Sequence, residues 1–227
     1  MMPGKTIINI ENLSVQRQGR VVLENISLSL KCGDTALLTG PNGCGKTTLL
    51  RSIAGFLPAS EGRITLFGKF NSSREWKKQC HLLAYVPQEE LISPFPVSVE
   101  EMAAMGTAGL KMSRAERQKR TEQALKDTGC WEMRQRSYFS LSGGEKRRVA
   151  LARCLGQKAH LLLLDEPLSY LDTKARKSFI AVLEDIRKQY NITILMVTHT
   201  ENELEEGSWS RFHFKDGLIE HTQGVRL

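Results

Sequence analysis

The eight residues Gly40-Pro41-Asn42-Gly43-Cys44-Gly45-Lys46-Thr47 fit the pattern G-x-x-x-x-G-K-[ST]. A loop of this kind does phosphate chemistry. Its glycines let successive backbone N–H groups turn toward an anion, and the helix it opens adds the partial positive charge of its N-terminus. Lys46 would reach the β- and γ-phosphates of a nucleoside triphosphate, Thr47 would offer its hydroxyl to Mg²⁺, and Thr48 extends the same set. Gly4-Lys5-Thr6 repeats three of these letters without an upstream glycine or strand, and carries no such meaning. The second constellation is Leu161-Leu162-Leu163-Leu164-Asp165-Glu166-Pro167, an apolar run that ends in two adjacent acids. Neighbouring side chains on a strand point to opposite faces, so the two acids take different parts. Asp165 suits the shell of Mg²⁺, and Glu166 suits the water that attacks a phosphate. In a third, Leu141-Ser142-Gly143-Gly144-Glu145, Ser142 reads as a helix N-cap and the two glycines leave the backbone bare toward an anion.

These residues need a scaffold, and the apolar pattern supplies one. Ile7 to Val15 and Val21 to Leu30 read as strands, the second alternating Ile26, Leu28, Leu30 with Ser27 and Ser29. A turn at Cys32-Gly33-Asp34 leads into Thr35 to Thr39, an apolar run of the kind found in a strand buried on both faces. Lys46 to Phe56 is expected as a helix ended by Pro58, with Gly62 to Phe67 and Leu82 to Val86 as further strands. Val99 to Met105 reads as a short helix. Ser113-Arg114-Ala115-Glu116 is a capping box that opens a charged helix stopping at Gly129, and a strong helix runs from Lys146 to Leu155. A helix from about Lys174 to Gln189 separates the strands Leu161 to Leu164 and Ile192 to Val197, and Phe212 to Ile219 closes as a hairpin around Asp216-Gly217.

Taken in order, the phosphate loop, Leu-Ser-Gly-Gly-Glu and Leu-Leu-Leu-Leu-Asp-Glu-Pro resemble the nucleotide-binding subunit of an ATP-binding-cassette (ABC) transporter over essentially the whole chain. The resemblance implies an α/β fold: a phosphate-loop NTPase core with an N-terminal antiparallel β subdomain and an inserted α-helical signature subdomain. It implies one ATPase domain over 1–227, with 1–92 and 157–227 as core and β subdomain and 93–156 as the helical part. Family likeness makes Gln88 the glutamine that senses Mg²⁺ and the attacking water, a catalytic and metal-shell position alongside Thr47 and Asp165. It makes His199 the switch histidine at the γ-phosphate, and Ser169-Tyr170-Leu171-Asp172 the loop that usually reads Ser-Ala-Leu-Asp. Ser142, Gly143 and Gly144 would serve nucleotide in trans, so the implied working unit is a head-to-tail pair of chains enclosing two ATP, with Mg²⁺.

Two departures stand out. Val15 to Val22 contains no aromatic on which adenine would stack, leaving the guanidinium planes of Arg17 and Arg20, and Glu145 stands where glutamine is commoner. Pro94 to Met102 with Met105-Gly106 is similar to importers of metal ions, siderophores and cobalamin, at the place where such a cassette meets integral-membrane subunits. The implied role is the ATP-hydrolysing subunit of a bacterial importer, peripheral on the cytoplasmic face of the inner membrane. The rival reading is a soluble cassette ATPase of repair, translation or iron–sulfur assembly; the first usually has long coiled-coil insertions and the second two cassettes.

Composition bounds these readings. The chain has 227 residues, 41% of them hydrophobic and 25% charged, which fits one large globular domain and excludes a disordered or fibrous chain. No apolar run approaches ~18 residues, so no segment is expected to span a bilayer. The start, Met1 to Lys5 followed by Thr6-Ile7-Ile8-Asn9, lacks the apolar region of a signal peptide, and a cytosolic chain is expected. The five cysteines are scattered and have no C-x-x-C pairing, which favours reduced thiols over disulfides or zinc. The net charge of +7 is spread along the chain, and no nucleic-acid partner is expected.

Overall fold

The computed structural model describes residues 4–88, 96–198, 209–215 and 218–222. Among the described residues ten strands follow one another: β1 (Thr6–Arg17), β2 (Arg20–Lys31), β3 (Thr35–Thr39), β4 (Glu61–Leu66), β5 (Lys69–Phe70), β6 (Leu83–Val86), β7 (Leu161–Asp165), β8 (Thr193–Val197), β9 (Ser210–Lys215) and β10 (Leu218–Thr222). Six α-helices accompany them in the described residues: α1 (Lys46–Ile53), α2 (Arg74–Lys77), α3 (Val99–Ala104), α4 (Arg114–Asp127), α5 (Gly143–Gly156) and α6 (Thr173–Tyr190). They build two sheets, an antiparallel one in the order β2-β1-β4-β5 and a six-stranded one in the order β10-β9-β3-β8-β7-β6. Only the terminal β9–β10 pair of the second sheet is antiparallel; β3, β6, β7, β8 and β9 run parallel. The architecture is therefore the mixed α/β fold expected, an antiparallel β layer with a parallel sheet and helices. The expected hairpin at the end is the β9–β10 pair, and its turn residues Asp216 and Gly217 lie outside the described residues.

Strands β3, β7 and β8 are buried at every position, as their unbroken apolar runs require. The period of two then sorts their side chains into two cores. Leu37, Leu162, Leu164, Ile194, Met196, Ala84 and Val86 pack with Val99, Met102, Ala103, Leu125 and Val149 of the helical segment and with Phe179, Leu183 and Ile186 of α6. Ala36, Leu38, Leu161, Leu163, Leu195 and Val197 face the other way, onto Leu49, Leu50 and Ile53 of α1 and the inner face of the antiparallel sheet. The helical segment thus has no core of its own; it finishes one side of the sheet.

Helix ends differ from expectation in instructive places. α1 stops at Ile53, not at Phe56, and Pro58 is not what ends it. Gly55 takes φ 82°, its N–H bonds the Ser52 carbonyl at 3.1 Å, and the Phe56 N–H reaches back to the Arg51 carbonyl at 2.9 Å, a closure that only a left-handed residue permits cheaply. α4 ends the same way at Gly129, where the sequence placed its stop. α5 begins at Gly143, not Lys146, so the two glycines form its first turn.

Candidate functional site

The phosphate loop joins β3 to α1 at the carboxyl end of the parallel sheet. Its shape depends on glycine at two positions. Gly40 has φ 138° and a Cβ there would lie 2.7 Å from the Phe214 carbonyl oxygen; Gly45 has φ 110° and a Cβ would lie 2.6 Å from Leu23 Cδ2. Lys46, the first residue of α1, is 5% exposed, and its ammonium donates to the carbonyls of Gly40 (2.8 Å) and Pro41 (2.7 Å), with Cys44 Sγ at 3.7 Å. The loop's own carbonyls therefore hold the lysine against its inner face.

A cavity of about 960 Å³ opens over the loop, and Asn42, Gly43, Gly45, Lys46, Thr47 and Thr48 line it together with Gln88 and Glu166. Residues from four separate parts of the chain converge there. Glu166 follows β7 with φ 49°, an unusual left-handed conformation for a glutamate, and its N–H bonds the Val197 carbonyl at 3.0 Å. One oxygen of its carboxylate accepts from the Gln88 amide (3.1 Å) and the Ser169 hydroxyl (2.8 Å), which fixes where the carboxylate points. Asp165 lies alongside, 1% exposed. Thr47 donates to one of its oxygens at 3.0 Å, and the Tyr85 hydroxyl donates to the other at 2.8 Å. Burial pushes the Asp165 carboxyl above its usual range, against the pull of those two hydrogen bonds. Burial likewise pushes the Tyr85 phenol up to about 12.

The described residues contain no cluster of three or more His, Cys, Asp or Glu able to hold a metal alone. One buried carboxylate, a threonine hydroxyl and a glutamine amide beside a phosphate loop fit Mg²⁺, which is ordinarily held by one or two carboxylates and substrate phosphates. Thr47 spends its proton on Asp165 and keeps its lone pairs for a cation.

Not every expected residue is brought to the cavity. Ser142, Gly143 and Gly144 open α5 outside it, with Ser142 and Glu145 forming a reciprocal cap. Glu145 receives the Ser142 N–H at 2.8 Å and hydroxyl at 2.9 Å, bonds that lower its pKa, and it pairs with Arg136 at 3.2 Å. Asp172 does not line the cavity either; its carboxylate caps α6 by accepting the Ala175 N–H at 2.7 Å. Gly40, Pro41 and Cys44 do not line the cavity and instead surround the Lys46 ammonium. His199 lies outside the described residues, as do Pro94 and Phe95.

Reading the sequence alone missed four contributors. Arg176, on the first turns of α6, lines the cavity, and so does Leu168; neither stands in a motif that would announce it. Tyr85 had a faint signal, a hydroxyl-bearing ring in an otherwise apolar strand. Arg147 of α5, 6% exposed, donates to the carbonyls of Pro87 (3.0 Å) and Gln88 (2.6 Å), so the helix that carries the Ser-Gly-Gly start also holds the Gln88 loop. The β1–β2 turn, where Gln18 and Gly19 both have positive φ, brings Arg17, Gln18 and Arg20 with Val22 to the cavity's edge. Tyr170, 92% exposed with φ 64°, is the one ring among the described residues that line it.

The ABC transporter family model matches residues 23–169, and the chain belongs to that family. Among its relatives is the manganese transport system ATP-binding protein MntA of Synechocystis sp., 38% identical over 198 residues, covering 85% of this chain and 75% of the relative. Another is the spermidine/putrescine import ATP-binding protein PotA of Bacteroides fragilis, 37% identical over 204 residues and 89% of this chain. The chain spans only 43% of that relative's length. Among solved structures, cbiO1 of Clostridium perfringens, described as part of the ABC transporter complex cbiONQ, superposes with a TM-score of 0.86 at 30% identity, covering 95% of this chain and 87% of the other.

Proposed function

We propose that this chain binds and hydrolyses ATP with Mg²⁺ to energise a bacterial membrane importer, acting as a peripheral subunit on the cytoplasmic face of the inner membrane. The observation that carries the reading is the carboxylate of Glu166, oriented by Gln88 and Ser169 at the cavity lined by Lys46 and Thr47. Lys46 and the loop amides bind the triphosphate, with Thr47, Asp165 and Gln88 as the residues that would hold Mg²⁺. When bound, that cation neutralises charge on the transferring phosphate. Glu166 orients the attacking water and draws its proton, and His199 carries the switch role at the γ-phosphate implied by the family. Catalysis of this kind is positioning and electrostatic stabilisation.

Ser142, Gly143 and Gly144 complete the site only across a head-to-tail interface with a second copy. Asp172, which caps α6 by accepting the Ala175 N–H, belongs to the loop that would face the second copy. A groove of about 860 Å³, lined among others by Phe56, Tyr85, Met102, Met105, Tyr138 and Arg153, suits a segment of an integral-membrane subunit. Phe56 and Met105 are 65% and 49% exposed there, apolar surface that a membrane partner would cover. The manganese-system relative supports metal ions as the cargo class; the polyamine-system relative shares with it small cationic cargo.

Two variants test the assignment. Glu166→Gln keeps Mg-ATP affinity within about threefold while turnover falls by at least about 100-fold, and Lys46→Ala loses most of the affinity itself, consistent with the size of transition-state and phosphate contacts. Nucleotide titration and phosphate release measure both. Near-normal ATP affinity in Lys46→Ala would overturn the site.

A further inference from the structure

Asp165 is held at two points, and only one of them belongs to the phosphate loop. Strand β6 runs parallel to β7 with Tyr85 opposite Leu163, so Asp165 is the next residue on the same face, a diagonal neighbour within reach of a long aromatic side chain. The hydroxyl spans that diagonal to Asp165 Oδ2 at 2.8 Å, while Thr47 occupies Oδ1 at 3.0 Å. A planar carboxylate fixed at one oxygen still rotates about its last torsion; fixed at both, it does not. Asp165 is 1% exposed, so its carboxylate depends on the protein's own donors. The ring itself lies edge-on to Phe56, with centroids 5.7 Å apart, in the wall of the groove, a task that phenylalanine would perform equally well. Only Asp165 needs the oxygen.

We propose that Tyr85 is a positioning residue for the metal site: its hydroxyl locks the Asp165 carboxylate in the orientation that presents Thr47 to the divalent cation. The inference rests on the reading of Asp165 and Thr47 as the residues that hold Mg²⁺. It assigns to the strand before Gln88 a part in divalent-cation affinity separate from nucleotide binding.

The test uses Tyr85→Phe, Asp165→Asn and the double variant in the full chain, with Mn²⁺ as a spectroscopic stand-in for Mg²⁺. Nucleotide affinity in EDTA serves as the folding control and stays within about twofold of wild type in Tyr85→Phe, because the phosphate loop is untouched. Mn²⁺ affinity of the ATP-loaded protein, read from the free-ion paramagnetic resonance signal, weakens about three- to tenfold, the effect of one hydrogen bond to a charged group. In the Asp165→Asn background the same change adds nothing, because the residue through which Tyr85 acts is already altered. Mn²⁺ affinity unchanged in Tyr85→Phe but weakened in Asp165→Asn overturns the inference and spares the metal site. Unchanged affinity in Asp165→Asn overturns the metal reading itself. Equal losses from Tyr85→Phe in both backgrounds show that the hydroxyl acts by another route, and the proposal falls.

Discussion

Glu166 and Asp165 are adjacent in sequence, yet they meet entirely different partners. One points to Gln88 and Ser169 over the cavity, the other back to Thr47 and Tyr85 within the sheet. The alternation of a strand end was enough to expect different partners for them from sequence. What sequence could not reach was Tyr85, whose partner is 80 residues away, because the β6–β7 register is set by packing of the whole sheet. The phosphate loop was legible because all its parts are contiguous. The base end of the cavity offers a residue-scale prediction. Arg17, Gln18, Arg20 and Val22 line it without a ring from the β1–β2 turn, while Tyr170 stands on the loop after Glu166. Base-on-aromatic stacking contributes ~1–3 kcal/mol, so a site without it discriminates weakly and GTP binds within about tenfold of ATP. Arg17→Tyr gains about tenfold in ATP affinity on the same scale. Competition titration decides it; a preference for ATP beyond about a hundredfold would mean that another group, Tyr170 foremost, holds adenine.

At the scale of elements, α3, α4 and α5 all open with a serine and a glutamate three residues on. Ser98–Glu101, Ser113–Glu116 and Ser142–Glu145 are each reciprocal caps. Ser113–Glu116 is legible in the sequence as a capping box and Ser142 as an N-cap, whereas the reciprocal part of Glu145 and the whole Ser98–Glu101 pair are seen only in the structure. In each, hydrogen bonds from the serine lower the glutamate's pKa below its ordinary 4.5. A depressed carboxyl contributes stability that is present above the unfolded pKa and lost as pH falls through the folded value. The helical segment therefore loosens as pH falls through and below the ordinary 4.5, and replacing the three glutamates by glutamine flattens that limb of a plot of Tm against pH. Asp165, whose pKa is raised, works in the opposite sense, so the comparison must be made in one background. An unchanged acid limb in the triple variant would contradict the assignment.

Packing between these helices gives a second element-scale prediction. Gly106 follows α3 directly against α5, and a Cβ there would lie 2.0 Å from the Arg153 carbonyl oxygen. Gly106→Ala must push the two apart, and overpacking of this kind costs about 1–3 kcal/mol. At this chain length the expected fall in Tm is roughly 2–12 °C. α5 also carries Arg147, which holds the Gln88 loop, so Gln88 should be displaced with it. A Tm within about one degree of wild type would show that the close approach relaxes freely.

The whole molecule presents the cavity over the phosphate loop and the Ser-Gly-Gly helix start as separate surfaces of one chain. Gly143 and Gly144 lie at the first turn of α5, with orphan backbone donors that nothing from the phosphate loop of the same chain meets. A second copy turned head to tail would lay those donors on the first copy's triphosphate and receive the same in return, which closes as a two-fold pair. If hydrolysis is what reopens such a pair, Glu166→Gln with Mg-ATP elutes as a dimer, and without nucleotide as a monomer. Adding Ser142→Arg to that variant places a bulky cation at the interface while leaving the phosphate loop intact. The expected result is ATP affinity of the separate chain within about threefold and no dimer at any nucleotide concentration, since a desolvated misfit at an interface centre removes several kcal/mol. Size-exclusion chromatography and nucleotide titration on the same samples read both quantities. A dimer that persists in the double variant would show that the helix start does not lie at the shared nucleotide, and loss of affinity in the separate chain would place Ser142 in the cavity of its own copy.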